Sequence, residues 1–106
     1  MNDEQVVFNV IIYAGNARGK AFEALEAAKA RDFDKATELM NEASQEILKA
    51  HDIQNGLITR EANGDKTEVT LLVAHAEDHL MTAMLAKDLI TEMIELYRQL
   101  DDKQDK

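Results

Sequence analysis

Residues 67–100 read TEVTLLVAHAEDHLMTAMLAKDLITEMIELYRQL, and this stretch decides the fold. It holds neither proline nor glycine, so nothing in it breaks a helix. Val69, Leu72, Ala76, His79, Ala83, Ala86, Ile90, Met93, Tyr97 and Leu100 recur at alternating steps of three and four. That spacing is a heptad-like seam. A second apolar row holds Leu71, Met81, Leu85 and Leu89. Apolar groups on two sides of a helix call for cover on two sides. One three-helix hairpin cannot easily supply both, so the pattern predicts self-association. The hydroxyl of Thr67 suits the helix start, and the polar DDKQDK at 101–106 reads as a frayed tail.

Two further helices precede it. The first is expected over residues 3–30, capped by Asn2 or Asp3, with Glu4 near the positive end of the helix dipole. Its apolar positions run Val6, Val7, Val10, Ile11, Ala14, Ala17, Ala21, Leu25 and Ala28. Gly15 and Gly19 each cost roughly 1 kcal/mol against alanine in a helix interior. Close approach of another helix to that small-residue face is the expected compensation. The second helix is expected over residues 33–61, after an N-cap at Asp32 or Asp34. Ala36, Leu39, Met40, Ala43, Ile47, Ala50, Ile53 and Leu57 form its stripe, Gly56 interrupts it, and Asn63-Gly64 signals the turn. The fold class is therefore all-α, an antiparallel three-helix bundle in one domain.

Composition agrees. The 106 residues contain no proline, four glycines and no cysteine. Without cysteine there is no disulfide framework, thiolate zinc site or cysteine nucleophile. The N-terminus lacks a basic stretch before its apolar run, and no run of about 18 apolar residues exists, so the expected compartment is the cytoplasm. Net charge is −9, and the 12 basic residues are scattered, which argues against nucleic acid as a partner.

The chemistry concentrates in AHAEDHLMTAML, residues 74–85. On a helix, His75 and His79 are one turn apart and project side by side, and Asp78 flanks His75. Glu77 points nearly the opposite way. Three readings compete. Two imidazoles and a carboxylate make a plausible zinc set, although Ala76 stands where the metalloprotease pattern has glutamate. A neutral imidazole is also a good nucleophile near neutral pH, given its reference pKa of about 6.5, and could carry a phosphoryl group. The third reading is an ordinary solvated helix face. Elsewhere, His51 reads as a surface residue, Arg18 as a solvated charge, and Met81, Met84 and Met93 as packing residues.

The segments LLVAHAEDHLMTAMLAKDLITEMIELY, IIYAGNARGKAFEAL, DFDKATELMNEA and AHDIQNGLITREANGD together cover most of the chain. In them the sequence resembles the IIA component of the lactose/cellobiose class of the bacterial phosphoenolpyruvate:sugar phosphotransferase system. The resemblance implies a phosphocarrier. The first histidine of the H-x-x-D-H motif, here His75, would take a phosphoryl group from phospho-HPr and pass it to a cysteine of the IIB component. The motif's last histidine is His79. The family's aspartate, here Asp78, would bind a divalent cation, magnesium, on the axis of a homotrimer. That cation would relieve the repulsion between a carboxylate and a phosphohistidine. The membrane enters only through the IIC component, and cellobiose or another β-glucoside is the expected sugar. The rival class is an oligomeric helical binding or scaffold module with a zinc site or no chemistry.

The sequence departs from the family's usual pattern at Glu77, where glutamine is usual, at Ala74, where a larger aliphatic residue is frequent, and at Asn55, where threonine is usual. Glu77 brings a negative charge near the phosphoryl path.

Overall fold

A computed structural model describes residues 3–66 and 68–104. It contains three helices, α1 (Asp3–Lys29), α2 (Phe33–Ala62) and α3 (Leu71–Gln104), and no strand among the described residues. The two turns between them set the direction of the chain. At the end of α1 the backbone adopts a left-handed conformation at Arg31, φ 66°, with Asp32 N–H donating to the Ala27 carbonyl at 2.9 Å. This is a Schellman closure with arginine in the place that glycine usually takes. Asp32 then caps α2, its carboxylate accepting from Lys35 N–H at 3.2 Å. The end of α2 repeats the closure with Gly64 at φ 93° and Asp65 N–H on the Arg60 carbonyl. Asn63-Gly64 is thus a true stop signal.

Helix α3 starts later than the sequence predicts. Thr67, expected as its cap, lies outside the described residues, as does Asn2 for α1. The cap at Leu71 is Thr70, whose hydroxyl accepts from Val73 N–H at 3.2 Å. At the other end the helix continues past Leu100 to Gln104, so the first part of the expected tail is helical. Asp101 forms an ion pair with Arg31, which ties this last turn to the α1–α2 connection.

The helices run up, down and up. Val7 and Val10 of α1 meet Ala50 of α2 and Ala76 and Leu80 of α3 at one end, while Ala21, Ala24 and Ala28 meet Ala36, Leu39, Ala43, Ile90 and Ile94 at the other. Alanine dominates the centre, so the backbones of α1 and α2 approach closely. Contacts of α1 with both neighbours are extensive, whereas α2 and α3 meet far less. Among the described residues no polar or charged residue is buried.

Two expectations about packing change. Gly15 and Gly19 do not receive a neighbouring helix: a Cβ built on either meets open space within the chain. They lie on the outer side of α1, near exposed Phe8, Ile12 and Phe22, while Ala14, Ala17 and Ala21 face the core. The α3 seam also turns. Leu80 and Ile94, absent from it, are buried, whereas Val69 and Leu100 at its ends are exposed. The second row, by contrast, stays uncovered in one chain as its spacing predicts: Leu71 is 88% exposed, Leu85 58% and Leu89 50%. No helix among the described residues is long and apolar enough to cross a membrane.

Candidate functional site

The second and third turns of α3 carry the histidines. His75 is exposed and His79 half-buried. Their Nε2 atoms lie 3.0 Å apart, and the rings meet edge to face at 88° with centroids 4.4 Å apart. One helical turn of separation produces this pairing directly. Two N–H groups cannot share such a bond, so one ring supplies the proton and the other a lone pair. The free pair therefore presents a nucleophilic nitrogen and a donor at the same spot.

Asp78 sits beside them, exposed, on the side of α3 that carries the uncovered row. Its carboxylate makes no hydrogen bond or ion pair among the described residues. Its backbone carbonyl accepts from the Thr82 hydroxyl at 2.8 Å. No group of three histidine, aspartate or glutamate side chains that could hold a metal occurs among the described residues of one chain. The zinc set of His75, His79 and Asp78 therefore does not form: the two imidazoles bind each other. What Asp78 brings is one exposed, unpartnered carboxylate, an oxygen donor of the kind that hard divalent cations take.

Glu77 turns to the opposite flank, where the Gln54 amide of α2 donates to both of its carboxylate oxygens. Gln54 carries no sequence signal of its own, because its partner lies 23 residues away and only the packing of α2 on α3 joins them. His51 hydrogen-bonds Asn55 within α2 at 3.2 Å and does not join the pair. Arg18 is exposed on α1 and makes no hydrogen bond or ion pair among the described residues.

A histidine pair open to solvent on a long helix, in a bundle of three long helices, is the equipment of a group carrier and not of an enclosed substrate pocket. Residues 5–98 match the family model described as "PTS system, Lactose/Cellobiose specific IIA subunit". The lichenan-specific phosphotransferase enzyme IIA component of Bacillus subtilis is 47% identical over 105 residues, spanning 97% of this chain and 96% of that one. The crystal structure of the cellobiose-specific enzyme IIA from Bacillus anthracis superposes with a TM-score of 0.92 at 44% identity, covering 97% and 95% of the two chains. The IIA(chitobiose) chain of the IIA–HPr complex from the Escherichia coli N,N'-diacetylchitobiose branch superposes at 0.84 with 42% identity, over 95% and 98%. The chain belongs to the lactose/cellobiose IIA family of the sugar phosphotransferase system, and is a phosphotransferase component of it.

Proposed function

We propose that His75 is the phosphoacceptor. The observation that carries this reading is the exposed Nε2–Nε2 pair of His75 and His79. The lone pair is assigned to His75 and the N–H to His79 from the needs of the reaction. The His75 nitrogen attacks the phosphorus of phospho-HPr in line, the bond from phosphorus to the donor's nitrogen breaks, and the donor's imidazole recovers a proton as His75 gives one up at Nδ1. His79, released from its partner, donates its N–H to a phosphoryl oxygen. Delivery reverses the geometry: a IIB cysteine thiolate attacks the phosphorus, the electron pair of the broken N–P bond returns to His75, and His75 regains at Nδ1 the proton that it gave up, supplied by the ionised thiol. The relative solved in complex with HPr supports that donor.

The subunit acts as a homotrimer in the cytoplasm. The uncovered row of α3, with Leu71, Leu85 and Leu89, supports assembly along this helix. Asp78 and its two symmetry mates would hold a divalent cation, magnesium by its preference for oxygen ligands. Bound there, the cation would neutralise three clustered carboxylates. The sugar never touches this component. Relatives are named for lichenan, cellobiose and chitobiose, and a β-glucoside, cellobiose, is the proposed cargo of the membrane partner.

The test is phosphorylation in vitro with phosphoenolpyruvate, enzyme I and HPr, read as added phosphoryl mass on intact protein. Wild-type protein should gain an acid-labile phosphate and His75→Ala none. A folded wild-type protein that stays unphosphorylated would sink the reading.

A further inference from the structure

We infer that Gln54 is a positioning residue for phosphoryl transfer, holding the charge of Glu77 on the α2 flank and away from His75. This rests on the reading of His75 as phosphoacceptor.

The problem is electrostatic. A phosphoryl group on His75 brings close to two negative charges onto a chain that already carries −9. Glu77 is two residues away, so its Cα stays within one turn of the phosphorylated ring whatever its side chain does. Two residues turn the helix by about 200°, which starts the two side chains in opposite directions. Direction alone does not keep them apart, because a glutamate has three rotatable bonds and Glu77 is exposed. The Gln54 amide supplies the restraint by donating to both carboxylate oxygens. The restraint matters at this place because α2 and α3 pack thinly and give the flank little steric confinement. A glutamine at 77 would need no such anchor, since it carries no charge to be kept away.

The experiment measures the equilibrium of phosphoryl exchange between phospho-HPr and this protein. Wild type, Gln54→Ala, Glu77→Gln and the double variant are compared at low and high salt, with His75→Ala as the blank. Freed to approach within several ångströms of the phosphoryl group, Glu77 should lower the equilibrium constant of Gln54→Ala about 3- to 10-fold at low salt. The loss should shrink at high salt and vanish in the double variant. Glu77→Gln alone should stay within about twofold of wild type. A merely structural Gln54 would give a loss that neither salt nor Glu77→Gln restores, and that result overturns the inference. An unchanged Gln54→Ala overturns it too. If wild type accepts no phosphate, the phosphoacceptor reading itself fails. If wild type accepts it and the variants do not differ, only the role of Gln54 falls.

Discussion

His75 and His79 are joined Nε2 to Nε2 at 3.0 Å, so each histidine's working nitrogen is occupied by the other until a phosphoryl group arrives. This makes their roles separable. His75→Ala removes the nucleophile and should abolish phosphate uptake. His79→Ala leaves the nucleophile and removes one donor to the developing charge, for which a loss of about 100-fold in transfer rate is expected. His79→Gln retains an N–H and should recover part of it. Rapid-quench transfer from phospho-HPr measures the rates, and circular dichroism checks that helix content is unchanged. A His79→Ala rate equal to wild type would reduce the pairing to a packing contact.

Leu80 follows the pair and points the other way, into the core, where it is 0% exposed between Val7, Val10 and Ala50. Leu80→Ala should cost about 2–5 kcal/mol, the usual range for deleting a buried leucine and leaving a cavity. Urea unfolding measures it. A cost below about 1 kcal/mol would mean that the alanine-rich surroundings collapse onto the space.

These neighbouring residues also mark what the sequence disclosed. The three helices were legible because proline is absent and the apolar spacing is periodic, and the turns because Asp32 and Asn63-Gly64 are strong local signals. The histidine pair was legible because its geometry is local to one helical turn. The start of α3 was misplaced because two threonines, Thr67 and Thr70, can both cap, and only the fold selects the second. Within one chain no helix approaches Gly15 and Gly19, because spacing along α1 does not fix which side faces a neighbour. Gln54 was invisible because its contact is tertiary.

Gly19 offers a test of that corrected face. It is exposed, helical, and free of any atom that a Cβ would meet. Gly19→Ala should therefore raise stability by about 0.4–1 kcal/mol, by reducing the freedom of the unfolded chain and improving helix propensity. Thermal unfolding under dilute conditions gives the value. A fall in stability would place a second copy against this side of α1.

The uncovered row of α3 carries the prediction about assembly. Leu85 and Leu89 are at least half exposed in one chain, so charging them costs the isolated subunit little. Leu85→Asp with Leu89→Asp should convert the assembly to a helical monomer by sedimentation velocity. Unchanged mass would remove this row from the interface.

Lys20 provides a pH-dependent test of the α1–α2 contact. Its ammonium donates to Glu42 at 3.2 Å. That hydrogen bond, and then the charge of Glu42, raise its pKa above the ordinary 10.5; desolvation offsets part of this, and Glu23 and Glu46 add to it. A raised folded-state value means that the protonated form is favoured by folding. The contribution is fully present below pH 10.5 and is lost as pH rises through the folded-state value. The group lies at the surface, so the effect is small and screened by salt. In Glu42→Gln the Lys20 titration, followed by NMR of its side chain, should move down toward the ordinary value. Stability of wild type and variant should differ below pH 10.5 and converge at strongly alkaline pH. A Lys20 titration identical in the two proteins would mean that the ion pair does not persist in solution.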